Sequence, residues 1–117
     1  MRIQFDQQME RLHVELIRMG SLCEEGIALS AKALQEKNPA FLQRIAAVEV
    51  EIDDKEREIE DLCMRLILQQ QPVARDLRFI SAAMKMISDM ERIGDQAADI
   101  ADLAPYIVEN NSQSKVH

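Results

Sequence analysis

The sequence has no tryptophan, one tyrosine and three phenylalanines, so aromatic residues make up 3% of its 117 positions. That scarcity disfavours a sheet, whose core draws on Val, Tyr and Phe, and favours interlocking helices built from the Leu, Ile, Met and Ala that are present. Glycine and proline are equally scarce, at three each, against 47% apolar residues. A chain of this length and composition is one domain with enough apolar matter for a single core. Positive charge is also short: 14 Lys and Arg face 21 Asp and Glu, a net charge of −7. Wrapping nucleic acid or coating an anionic membrane needs a basic surface, so both are excluded as main roles, and cations or basic partner surfaces are favoured. No run of about 18 apolar residues exists to span a bilayer. The opening Met-Arg-Ile-Gln-Phe-Asp has no apolar signal region, and the cytoplasm is the expected compartment. Only two cysteines occur, Cys23 and Cys63, with no CxxC or Cys/His spacing for zinc. They read as small buried thiols on helical stripes.

What is present is helical periodicity. Phe5, Met9, Leu12, Leu16, Met19, Cys23, Gly26, Ser30 and Ala33 alternate steps of three and four, which predicts a first helix from about Ile3 to Glu36. Gly20 and Gly26 lie inside it, where each costs about 1 kcal/mol against Ala, and are read as contacts with a neighbouring helix. Asn38-Pro39 supplies an N-cap and a first helical position for helix two. The seam of that helix is Phe41, Ile45, Val48, Ile52, Ile59, Leu62 and Leu66, with Lys55 in a slot where an aliphatic residue is expected. Gln69-Gln-Gln-Pro72-Val73 is long enough only for a tight reversal, so helices two and three are antiparallel neighbours. Helix three carries three apolar stripes: Phe79, Met86, Ile93 and Ile100; Ile80, Ile87, Gly94 and Ala101; and Ala83, Met90 and Ala97. It therefore needs cover on more than one side. Pro105 is expected to end or kink it. The fold class predicted is all-α, an antiparallel three-helix bundle of long helices over residues 1–109, with a polar C-terminal tail at 110–117.

The chemistry sits on helix three. Glu91, Asp95 and Asp99 recur every fourth residue and so climb one face, where they repel one another even with Arg92 nearby. Helix two holds the densest acidic patch, with eight acids between Glu49 and Asp61. Counted from Pro72, Asp53 lies nineteen residues before and Glu91 nineteen after, while Glu49 and Asp95 each lie twenty-three away. The two acidic segments thus stand at one height on adjacent helices and can offer hard oxygens to one or two cations. An all-carboxylate set suits Mg, Ca, Mn or ferric iron better than Zn. Neither His13 nor His117 is placed for the Glu-x-x-His pairing of oxygen-activating di-iron bundles, which disfavours an oxidase. In most proteins a row of acids is only a solvated face. Arg75 and Arg78 are read as cations near the start of helix three held by Asp76.

Several motifs carry a family resemblance. Met19-Gly20 with Glu24, Ile52-Asp53 with Glu56 and Glu58-Ile59-Glu60, Gln70-Gln71-Pro72-Val73-Ala74, Asp76-Leu77-Arg78 and Asp89-Met-Glu-Arg-Ile-Gly-Asp95 resemble the PhoU family of bacterial phosphate-transport regulators. Members of that family are normally about twice this length and built from two similar three-helix repeats, and this sequence resembles the first repeat. The resemblance implies a cytoplasmic, non-enzymatic adaptor between a phosphate ABC transporter ATPase and a sensor histidine kinase. It also implies a metal, iron or else Mn, Mg, Ca or Zn, on E/DxxxD motifs. Glu91 and Asp95 match the motif on helix three, and Glu49 and Asp53 the one on helix two, with Glu where Asp is usual. Asp99 replaces a more usual Asn and adds a further metal-ligand candidate. Lys55 replaces a usual Leu, so it is expected to place a cation beside the site or to loosen the core. The stripe from Phe79 to Ile100 would be an exposed patch unless covered by a second three-helix unit, so a homodimer is expected. The alternative function is a helical metal-storing or metal-buffering protein.

Overall fold

Asn38 opens helix two as its sequence requires. Its backbone is extended (φ −135°, ψ 110°) and its side-chain oxygen accepts a hydrogen bond from the Ala40 amide at 3.0 Å, with Pro39 at the first turn. The computed structural model describes residues 2–116, and the side chains of residues 3–107. Three helices fill it: α1 (Arg2–Gln35), α2 (Pro39–Gln70) and α3 (Ala74–Val116). They form an all-α antiparallel bundle, a rod of 68 × 21 × 15 Å. The α2–α3 reversal spans three residues and turns on Gln71, whose left-handed backbone (φ 45°, ψ 64°) closes the end of α2. Among the described residues no helix is long and apolar enough to cross a membrane.

The predicted seams meet along the axis of the rod. Leu12, Met19, Ile52, Ile59, Leu66, Ile80 and Ile87 are fully buried, and Cys23 and Cys63 are buried free thiols. The Cys23 thiol donates to the Met90 carbonyl at 3.3 Å, and burial pushes the Cys63 thiol up to about 11. Two of the three α3 stripes enter this core. The third stays at the surface, with Met86 44%, Ile93 37% and Ile100 41% exposed, and begins at Phe79 stacked on His13 of α1, ring centroids 4.5 Å apart.

Four expectations are corrected. Of the two outcomes expected at Pro105, an end to the helix does not occur, since α3 continues to Val116; the side chains of the expected tail at 110–117, and His117 entirely, lie outside the described residues. A proline inside a helix removes one backbone hydrogen bond; here Ala104 beside it is buried, and Pro105 lines a small cavity with Ala33 of α1 and Pro39 and Leu42 of α2. Gly20 is no packing contact, because a Cβ built there meets nothing within 4 Å, whereas one at Gly26 would lie 3.7 Å from Ala97 Cβ. Arg75 and Arg78 form no ion pair with Asp76 among the described residues. Lys55 stands neither beside the acids of α3 nor loose in the core: it crosses to α1 and binds the buried carboxylate of Glu15, which also takes Arg18 at 2.7 Å.

That ion pair replaces an aliphatic contact in the α1–α2 seam. Glu15 is 3% exposed, so losing Lys55 leaves a buried charge compensated only by the more exposed Arg18. Lys55 also reaches Glu58 at 3.1 Å, and Glu58 in turn pairs with Arg11 at 3.1 Å. Lys55→Leu alone should therefore destabilise the bundle by about 1–3 kcal/mol. Combined with Glu15→Leu it should cost less than the sum of the two single changes, a non-additivity that urea denaturation of the four proteins measures.

Candidate metal centre

Antiparallel packing turns the matched counts around Pro72 into contact. Each α2 acid faces between two α3 acids: Asp53 lies against Glu91 and Asp95, and Glu49 against Asp95 and Asp99. One carboxylate oxygen from each of Asp53, Glu91 and Asp95 lies within 4.8 Å of the other two. Two oxygens bound to one hard cation at about 2.0–2.6 Å are at most about 5 Å apart, so this triad fits a single ion in both spacing and donor type. Glu49 joins through a hydrogen bond to Asp95. Asp99 is exposed and reaches the group only through its charge on Glu49. Glu56 is a further member that the sequence reading did not assign. It stands three residues after Asp53 on the same helical face, a spacing visible in the sequence, and its charge bears on Glu91.

The nearby cations pair with other acids, although Arg57 draws Glu56 down. Arg92, expected to do so, turns to Asp89 at 3.3 Å, where Lys85 also binds at 3.0 Å. Arg57 pairs with Asp54, and Lys55 with Glu15 and Glu58. Among the described residues no Lys or Arg forms an ion pair with Glu49, Asp53, Glu91, Asp95 or Asp99. Three of the glutamates are instead shifted toward their protonated forms. A hydrogen bond to Asp95, reinforced by burial and by the charges of Asp95, Glu56 and Asp53, pushes Glu91 up to about 7. Burial first, then the hydrogen bond to Asp95 and the charges of Asp95, Asp53 and Asp99, raises Glu49. Burial and the charges of Glu60, Asp53 and Asp95 raise Glu56 against the opposing pull of Arg57.

A carboxyl group raised in the folded state binds its proton more tightly there than in the unfolded chain. Its stabilising effect is present below the unfolded value, about 4.3 for Glu, and is lost as pH rises through the folded one. With Glu91 at about 7, metal-free protein should lose thermal stability between about pH 5 and pH 8. Glu91→Gln should flatten that decline, and a divalent cation should reverse it by taking the place of the proton. Melting curves across this range, with chelator and with added cation, measure both effects.

The comparisons with known proteins agree with this architecture. A family model described as PhoU domain matches residues 16–104. The chain is 42% identical over 103 residues to a protein of Synechocystis sp. named phosphate-specific transport system accessory protein PhoU homolog, covering 88% of this chain and 46% of that one. It is 44% identical over 98 residues to the Clostridium acetobutylicum protein of the same name, covering 83% and 45%. The crystal structure of PhoU from Pseudomonas aeruginosa superimposes with a TM-score of 0.85 at 32% identity, over 91% of this chain and 51% of that one. The chain thus spans about half the length of the curated relatives it matches. With that match across most of its length, and a single three-helix repeat as its fold, the chain belongs to the PhoU family.

Proposed function

We propose that this chain is a non-enzymatic adaptor in the regulation of phosphate uptake and phosphate-starvation signalling, acting in the cytoplasm and carrying a cation on the α2–α3 carboxylates. The regulatory part is supported by relatives named accessory proteins of a phosphate-specific transport system. The cation part is supported by one observation above all: the Asp53, Glu91 and Asp95 oxygens converge within 4.8 Å with no basic side chain paired to them. Asp53, Glu91 and Asp95 would hold the ion, with Glu49, Glu56 and Asp99 around them. A bound cation neutralises facing carboxylates and ties α2 to α3. The residues themselves supply hard oxygens on two helices. Iron, manganese, magnesium or calcium suits such a donor set, with zinc the poorest match. Partners proposed for the adaptor are the ATPase of a phosphate ABC transporter and a sensor histidine kinase.

The exposed stripe Met86, Ile93 and Ile100 supports a second element of the proposal. Spaced at sevens along α3 and continuous with the Phe79–His13 stack, it is an apolar face of the kind that packs on another helical unit. A second copy of the chain is the proposed cover.

Elemental analysis of purified protein should find metal that Glu91→Ala/Asp95→Ala protein lacks; equal content in both removes the ligand assignment. Pull-down should retain the transporter ATPase, which a metal-storing or metal-buffering bundle would not bind. Light scattering at micromolar concentration should give a dimer, and Ile93→Glu should shift it to monomer.

A further inference from the structure

Gly94 stands directly before Asp95 and three residues after Glu91, and is buried where α3 meets α2. A Cβ built on it would lie 2.9 Å from Ile52 Cδ1, 3.5 Å from Ile52 Cγ2 and 3.8 Å from Ile52 Cβ. The first distance is too short for two carbon atoms. The overlapping atom is the terminal methyl of Ile52, which turns on χ2, but Ile52 is 1% exposed within the core cluster, and a close-packed interior leaves that methyl little space to turn into. A side chain at position 94 is therefore accommodated by moving the helices apart. The position of that contact matters, because Ile52 immediately precedes Asp53 as Gly94 immediately precedes Asp95. Any separation there is a separation of the two rows of carboxylates. The other two glycines make no such approach: Gly26 sits at ordinary contact distance from Ala97 and Gly20 faces open space.

We propose that Gly94 is a positioning residue for the carboxylate cluster: its missing side chain lets α3 close on α2 at Ile52, and this closure brings Asp53 within chelating reach of Glu91 and Asp95. The inference rests on the cation reading above and adds to it. Matching heights on two helices align the acids along the rod, but cation affinity also depends on how far apart the helices stand. Oxygen–cation bonds of about 2.0–2.6 Å leave little tolerance for a wider gap.

The test is calorimetric titration of metal-free protein with MnCl₂ alone, run on wild type, Gly94→Ala, Gly94→Ala/Ile52→Val and Gly20→Ala, with helix content followed by circular dichroism. Gly94→Ala should bind Mn²⁺ about tenfold more weakly or worse, the scale of losing a group that supports metal ligands. The double variant removes the overlapping Cδ1 and returns a methyl at position 94, conserving volume, and should recover affinity to within about threefold. Gly20→Ala, a glycine-to-alanine change in the same bundle with no contact to disturb, should bind as wild type does. If Gly94→Ala alone does not fold, the double variant decides: near-wild-type affinity supports the role of Gly94, and a tenfold loss overturns it. Undiminished binding by folded Gly94→Ala, beside a wild type that binds, overturns the role of Gly94 and leaves the cation reading standing. A wild-type protein that takes up no Mn²⁺ overturns both.

Discussion

Carboxylates facing one another across a helix seam repel, and among the described residues no Lys or Arg is ion-paired with Glu49, Asp53, Glu91, Asp95 or Asp99. The cations that might have served are committed elsewhere: Lys85 and Arg92 to Asp89, Arg57 to Asp54, Lys55 to Glu15 and Glu58. The remaining ways to relieve the repulsion are to bind protons more tightly, the direction in which Glu91 and Glu49 are shifted, or to bind an external cation. Both are set by solution conditions. Under the proposed function, an α2–α3 seam that responds to proton and cation concentration would suit a regulatory role through ordinary electrostatics.

α3 is the helix through which the parts communicate. Its core stripes hold the bundle together, one flank carries the acids toward α2, and the other carries the apolar stripe that begins at Phe79 on His13 of α1. Small residues let it approach both neighbours: Gly94 against Ile52 of α2, and Ala97 against Gly26 of α1. The acids and the apolar face therefore lie on one helix, and under the proposed function that face is the surface that meets a second unit.

The third seam, α1 on α2, is built on a different principle. Lys55 and Glu15 place a buried ion pair where the pattern calls for an aliphatic contact. Buried ion pairs contribute little net stability compared with hydrophobic packing. They do tolerate misalignment poorly, so this one favours a single register of α1 along α2. The polar slot read as a weakness of the core is filled by a partner forty residues away in the sequence, which no local pattern reveals.

The sequence by itself determined the helices, their order and their buried faces, because a 3.6-residue period, an Asn-Pro start and a Pro-containing reversal act locally and are written in consecutive residues. It also determined the heights of Glu49, Asp53, Glu91 and Asp95, because an antiparallel hairpin converts equal counts from Pro72 into equal positions along the rod. Tertiary structure alone decided lateral matters: that Arg92 turns away from the acids, that Lys55 crosses to Glu15, that Glu56 joins the cluster, that Gly94 rather than Gly20 is a site of close approach, and that α3 continues through Pro105. Periodicity fixes where a side chain stands along and around its own helix. The distance to the next helix, and the choice among competing partners there, depend on three packed surfaces at once.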